Sequence, residues 1–165
     1  MKSQLAGNIG SVSLGAGYRF YGDRYHVDLM YGYVHERSGG ITIHHITLKN
    51  TYRPWKWRIN SRRTVVPLTV GLHFSYKIGN NNYETWLFLP DRYPDNYYYS
   101  TSFHILPSVG SSIIINRPSA RLLKHAEIYY EIGSVDIYIH HLLREKRSMR
   151  FSDIINLALG LSFRF

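Results

Sequence analysis

The feature that most constrains this chain is an alternation of apolar and polar residues with a period of two, which recurs along most of the sequence. The last run shows it most clearly, with apolar side chains at every second position: Ile155, Leu157, Leu159, Leu161, Phe163 and Phe165 alternate with Asn156, Ala158, Gly160, Ser162 and Arg164. Successive side chains of a β-strand point to opposite faces, so this pattern predicts strands with one apolar face.

Seven such segments predict an all-β fold in a single domain over residues 1–165. They are Ser11–Phe20, Tyr25–Val34, Ile41–Tyr52, Thr64–Lys77, Ser100–Ile115, Ala126–Leu143 and Ile155–Phe165. We expect a hairpin turn at Tyr21–Arg24 and a break near Gly133 that divides the sixth segment, which gives about eight strands. A helix over Ala120–Glu131 is the less favoured alternative for part of that region.

The composition of the polar faces separates a membrane barrel from a soluble one. The solvent-exposed face of a soluble sheet carries mainly charged residues, whereas the polar faces of these strands carry Ser, Gly, Thr, Asn, Ala and His. Small polar side chains suit the crowded lumen of a narrow barrel, and the apolar faces carry aromatic residues towards their ends, as a lipid-facing wall does. We therefore favour a transmembrane barrel, with a soluble lipocalin-like barrel as the alternative.

Composition excludes several other classes. No stretch approaches the ~18 unbroken apolar residues of a membrane helix. Because the chain has no cysteine, it cannot form a disulfide or a zinc–thiolate site. The formal net charge of +9 fits either nucleic acid or anionic lipid phosphates.

The final segment, Ile155–Phe165, combines this alternation with an aromatic residue at the end of the chain. It thereby resembles the C-terminal signature of small bacterial outer-membrane β-barrel proteins, and Tyr21–Tyr33 and Pro90–Pro94 also resemble uncharacterised outer-membrane proteins. The resemblance implies an antiparallel up-and-down transmembrane β-barrel in the bacterial outer membrane, monomeric, with its last strand read by the barrel-assembly machinery.

The N-terminal residues and the strand count leave one question open. Met1–Gly7 lacks the apolar core of a signal peptide, so we expect that a signal peptide has been removed or that the chain is a fragment. Eight strands would make Ile78–Tyr99 a periplasmic turn, although such turns are short. Fusing Ala126–Leu143 into one strand would place that loop outside and would imply a missing N-terminal strand.

One pair of residues invites a catalytic interpretation. His73 and Ser75 lie two apart on a predicted strand and so share a face. They resemble the His-x-Ser element of outer-membrane lipid A deacylases, in which His acts as the base and Ser as the nucleophile. This chain has Tyr76 where that family has Asn, and it offers no identifiable acidic partner. The alternation of this strand places both residues on the face that points into the lumen. The preferred interpretation is therefore that they are polar residues that fill the lumen.

Other polar residues predict a hydrogen-bonded lumen. His26, Asp28 and His104 lie on polar faces, and we expect a polar network there rather than a metal site. Glu127 and Glu131 share a face, and we expect these carboxylates to meet basic residues such as Lys49 or Arg19 inside the barrel.

Basic residues cluster between the predicted strands, together with aromatic residues. We expect lipid phosphates, not nucleic acid, to be their partners. The predicted phosphate contacts are Arg53, Lys56, Arg58, Arg62 and Arg63, and the predicted interface anchors are Trp55, Trp57, Phe163 and Phe165. The aromatic loop Asp91–Tyr99 is a candidate for external recognition.

These observations predict a non-enzymatic outer-membrane barrel with a filled lumen and a structural or surface-interaction role. Its expected partners are lipopolysaccharide and phospholipid, with no cofactor or metal. A lipid A-modifying acyl hydrolase or acyltransferase using His73 and Ser75 is the alternative, and a narrow pore is a further one.

Overall fold

Nine strands and one helix form in the part of the chain that the structure, a computed structural model, describes: residues 1–35, 42–79, 102–116, 124–144 and 154–164. The strands are β1 (Lys2–Ala6), β2 (Val12–Phe20), β3 (Tyr25–Val34), β4 (Ile43–Tyr52), β5 (Trp57–Arg58), β6 (Arg63–Gly79), β7 (Phe103–Asn116), β8 (His125–Gly133) and β9 (Asn156–Arg164). Helix α1 (Asp136–Arg144) lies between β8 and β9.

Eight of these strands close into an antiparallel barrel, which confirms the predicted β-barrel fold. Strands that follow one another pair side by side, β1 pairs with β9, and β4 pairs with β6 to complete the ring. The short strand β5 pairs with the start of β6 outside the ring. Because the ring is closed, each of the eight strands has a neighbour on both sides.

Both ends of the described chain lie at one end of the barrel, where the amino group of Met1 donates a hydrogen bond of 2.9 Å to the carbonyl of Phe163. We call this the terminal end and the opposite one the loop end. Residues 21–24, 53–62 and 117–124 connect strands at the terminal end. The two longest connections, residues 80–102 and 134–155, join strands at the loop end.

Burial follows the strand alternation, with apolar side chains outside and polar side chains inside. Leu14, Leu29 and Leu159 are 60%, 58% and 56% exposed, whereas Lys49 and Glu127 are 0% and 2% exposed. The outward positions of the described strands carry a single charged side chain, that of Arg63 at the start of β6. The outer wall is therefore an almost uncharged apolar band.

Two regions depart from the sequence prediction and settle the strand count. Lys2–Ala6 forms β1, which is too short for its alternation to be recognised without its partners. Ala126–Leu143 is neither two strands nor one long strand, because β8 ends at Gly133 and α1 follows. The helix considered over Ala120–Glu131 is wrong, since His125–Gly133 is strand. With these corrections, β6 ends and β7 begins at the loop end of the barrel, whereas β9 ends at the terminal end.

An apolar plug fills the lumen near the loop end. Ile9, Met30 and Leu106 are at most 2% exposed and pack together, with Val135 against them. Gly32 permits this arrangement, because a Cβ there would lie 1.7 Å from the carbonyl oxygen of Ile9. The connection between β1 and β2 therefore folds into the barrel.

Helix α1 is anchored at the loop end by its first residue. The carboxylate of Asp136 accepts a hydrogen bond of 3.1 Å from the backbone N–H of Ile105 and lies 3.3 Å from Nδ1 of His104. Among the described residues, no helix is long and apolar enough to cross a bilayer.

Candidate functional site

Three ion pairs bury six charged side chains in the middle of the lumen. They join Lys2 to Asp28 (3.0 Å), Arg53 to Glu127 (2.6 Å) and Lys49 to Glu131. Each of the six residues is at most 8% exposed. Removing an isolated charge from water costs several kcal/mol, so the pairing of opposite charges is what permits this interior.

The pairs are arranged as the sequence predicted for the two glutamates. Glu131 meets Lys49, and Glu127 lies 3.6 Å from a guanidinium nitrogen of Arg19 as well as beside Arg53. The expectation that lumenal carboxylates face basic residues from other strands is confirmed. Since β4, β8 and β2 supply these groups, the pairs link distant parts of the ring.

Gln4 and Tyr129 connect two of the three pairs, Lys2–Asp28 and Lys49–Glu131. The side-chain oxygen of Gln4 accepts hydrogen bonds from Lys49 (2.7 Å) and from the Tyr129 hydroxyl (3.2 Å). The ammonium of Lys2 lies 4.6 Å from the centre of the Tyr129 ring, within the range of a cation–π contact. A cavity of about 20 Å³ beside the network has room for about one water molecule.

His73 and Ser75 both lie in the lumen and are 3% exposed. Nε2 of His73 lies 2.8 Å from the hydroxyl of Ser108, whereas the hydroxyl of Ser75 lies 2.8 Å from that of Thr47. Each side chain thus has its own partners on a neighbouring strand, since Ser75 also lies 3.4 Å from Nδ1 of His45. A nucleophile and its base must share a hydrogen bond, and this geometry does not supply one between His73 and Ser75.

The three residues predicted to form a polar lumen network do not converge. His26 is buried near the terminal end, where its Nε2 lies 2.8 Å from Asp23, whereas Asp28 pairs with Lys2 in the middle of the lumen. His104 lies near the loop end beside Asp136. Within the described ranges, no three His, Asp or Glu side chains are placed to hold a metal ion.

A cavity of about 570 Å³ opens at the terminal end, and we call it the terminal vestibule. Five cationic side chains and one carboxylate line it: Arg19, Lys56, Arg58, Lys124, Arg164 and Asp23. The lining therefore carries an excess of four positive charges. The apolar plug and the ion pairs occupy the lumen between this vestibule and the loop end.

Asp23 neutralises part of the positive charge of the vestibule and pairs with two of its cationic side chains. Its carboxylate lies 3.3 Å from Arg19 and 3.1 Å from Lys56. Burial by itself would raise the pKa of this carboxyl group. The hydrogen bond with His26 and the neighbouring positive charges outweigh burial and hold the pKa of Asp23 well below its usual range.

The predicted phosphate contacts divide into three groups. Lys56 and Arg58 line the terminal vestibule, and Arg62 and Arg63 are exposed beside it. Arg53 departs from the prediction, because its side chain is buried against Glu127 and faces the lumen rather than the outside.

Three of the four predicted interface anchors lie at the terminal end of the barrel. Trp55 and Trp57 are 57% and 63% exposed, and Phe163 is half-buried on the outer wall. Phe165 and the loop Asp91–Tyr99 lie outside the described residues.

Sequence reasoning missed Lys2, Gln4 and Arg164 as parts of these sites. Lys2 and Gln4 lie in a strand whose sequence alone carries no recognisable alternation, so only its pairing with β2 and β9 identifies it. Lys124 and Arg164 are brought to the vestibule by the pairing of His125 with Arg164, which requires the register of β8 against β9. Comparisons with protein-family models, with curated proteins and with solved structures find no match for this chain.

Proposed function

We propose that this chain is an integral outer-membrane β-barrel with a closed lumen, acting as a structural or surface-interaction protein in contact with membrane lipids. The observation that carries the proposal is the reversal of burial, with ion pairs inside and an almost uncharged apolar wall outside. Lipid hydrocarbon matches such a wall, whereas water penalises a continuous apolar band of this extent.

The closed ring of backbone hydrogen bonds and the length of the strands also support a location in a lipid bilayer. Unsatisfied backbone groups are costly in hydrocarbon, so a β-structure can span a bilayer only as a closed ring. Strands of 9 or 10 residues such as β2, β3 and β4 have the length that a tilted membrane strand requires. A ring in which β4 meets β6 needs no second copy to cover an edge, which favours a monomer.

The filled lumen favours a non-conducting barrel over a pore. The plug of Ile9, Met30 and Leu106 closes the loop end, and the Lys49–Glu131 pair crosses the middle. An ion crossing this lumen would have to displace both. In this proposal the protein therefore acts through the contacts that its outer wall and its two ends make.

In this proposal the terminal end faces the periplasm, as it does in the outer-membrane barrels that the C-terminal segment resembles. The loop end of the barrel then faces the outside and provides the surface for interaction. The last strand, β9, would be the segment read by the barrel-assembly machinery.

Extraction and gel mobility test this proposal. The protein is expressed in a Gram-negative host behind a cleavable signal peptide, the membranes are extracted with detergent, and the extract is run in SDS with and without boiling. We expect the protein in the outer-membrane fraction and a mobility that changes on heating, because a closed ladder has no edge from which to unravel. A protein that stays in solution without detergent would overturn the proposal.

A further inference from the structure

We propose that the terminal vestibule is a binding site for a phosphorylated ligand that carries at least two negative charges, such as a phosphomonoester or a diphosphate. This inference concerns the barrel itself and does not depend on its membrane location. The lumen beneath the vestibule is closed by the ion pairs and the apolar plug, so the cavity does not continue through the barrel.

The size of the vestibule suits a small ligand. Its volume of about 570 Å³ falls inside the roughly 300–1,000 Å³ of typical ligand pockets. The lining comes from strands on both sides of the ring, with Arg19 from β2, His125 from β8 and Arg164 from β9. A ligand held here would contact residues that the barrel already fixes in place.

The charge of the vestibule selects the chemistry of the ligand. Arg19 and Lys56 are engaged by Asp23, but Arg58, Lys124 and Arg164 have no acidic partner among the residues that the structure describes. Guanidinium and ammonium groups donate strong charge-assisted hydrogen bonds to phosphate oxygens. Three such unpaired cations around one cavity favour an anion with more than one charge.

Two sources can supply this phosphate. A water-soluble phosphate compound would enter the vestibule from the aqueous side. A lipid headgroup would enter from the rim, where Trp57, 63% exposed, adjoins Lys56 and Arg58. The vestibule would bind the same phosphate group in both cases, and the experiment below distinguishes the two sources.

The test uses the full chain in an uncharged detergent, titrated with sodium pyrophosphate in a calorimeter at constant ionic strength. The same protein is placed in nanodiscs of phosphatidylcholine with a minor fraction of phosphatidic acid, and native mass spectrometry counts the phosphatidic acid that it retains. The variant is Arg58→Gln combined with Lys124→Gln, both at exposed positions that leave the lumen network intact. Arg24→Gln is the control, an exposed arginine at the same end and outside the cavity lining.

We expect the double variant to bind at least ~10-fold more weakly than the wild type, since it lacks two cationic groups that donate charge-assisted hydrogen bonds to phosphate oxygens. The control should bind like the wild type, and circular dichroism should show the same strand content in all three. Pyrophosphate binding that the variant weakens identifies a soluble phosphate. Retention of phosphatidic acid alone, lost in the variant, identifies a lipid headgroup.

Failure of both ligands to bind, or equal binding by the wild type and the double variant, would overturn the inference. The pyrophosphate titration needs no membrane, whereas the heat-dependent mobility needs no ligand. The failure of this inference is therefore distinguishable from the failure of the proposed function.

Discussion

The ammonium of Lys49 on β4 donates a hydrogen bond to the carboxylate of Glu131 on β8 across the lumen, and the lysine is completely buried. The two residues are 82 positions apart in the chain. Their pairing ties opposite sides of the ring together, and it is possible only because each charge meets the other away from water.

We expect Lys49→Met to destabilise the barrel by about 3–5 kcal/mol, because it leaves Glu131 as an uncompensated buried charge. Adding Glu131→Leu should restore most of the loss, since an apolar pair replaces the ion pair. Urea unfolding of the protein in lipid vesicles measures both free energies of unfolding. Equal destabilisation in the single and double variants would show that the two residues are not coupled.

The outer wall predicts a depth-dependent cost for a charge. Leu159 lies in the middle of β9 and is 56% exposed, whereas Phe20 ends β2 and is 44% exposed. In a bilayer Leu159→Arg should cost about 2–4 kcal/mol and Phe20→Arg about 0–1 kcal/mol. Folding into vesicles at a series of urea concentrations gives both values. If Leu159→Arg has no cost, the wall does not face lipid.

The closed lumen predicts that the protein does not conduct ions across a bilayer. Purified protein added to a planar bilayer should give no discrete conductance steps, because Ile9, Met30 and Leu106 fill one end of the lumen and the ion pairs fill its middle. A known porin in the same bilayer controls for the sensitivity of the recording. Stepwise currents that depend on the amount of this protein would contradict the prediction.

The lumen positions of His73 and Ser75 predict that neither residue performs lipid chemistry. Both are 3% exposed and hydrogen-bond to different partners. Lipid A from cells that express the wild type should therefore have the same acyl chains as lipid A from cells that express Ser75→Ala. Mass spectrometry of the extracted lipid A makes the comparison. An acyl chain lost with the wild type and retained with Ser75→Ala would restore the hydrolase alternative.

The fold was predictable because its signal is local. Side chains on a strand alternate between wall and lumen, so runs such as Ser11–Phe20 reveal both the strand and its apolar face without knowledge of any partner. The short strand β1 and the helix α1 escaped prediction for opposite reasons. Lys2–Ala6 offers too few alternations, and the apolar residues after Val135 fit a strand and a helix almost equally well.

The site was less predictable because it depends on register. Which carboxylate meets Lys49 follows from the pairing of eight strands around a ring, and a shift of one residue would move every side chain to the other face. The vestibule likewise combines Arg19, Lys124 and Arg164, which are far apart in the sequence and meet only when the ring closes.

The anchor of α1 predicts an acid-dependent change at the loop end. Burial would raise the pKa of Asp136, but the hydrogen bonds from His104 and from the backbone N–H groups of Ile105 and Ile137 outweigh it and lower that pKa. A carboxyl group with a lowered pKa in the folded state stabilises the fold above its unfolded pKa of about 3.9. This stabilisation is lost as the pH falls through the lowered, folded value. NMR of the Ile105 amide, which donates to Asp136 at 3.1 Å, should therefore show a titration with a midpoint below about 3.9.

Asp136→Asn is the matched control, because it keeps the shape of the side chain and removes the titrating group. The Ile105 resonance should then no longer respond to acid, while resonances of the ion-paired lumen should titrate as in the wild type. A midpoint at or above the ordinary aspartate value would show that the contacts at the start of α1 do not favour the charged carboxylate. The anchoring of the helix would then have to come from the packing of Val135 against the apolar plug.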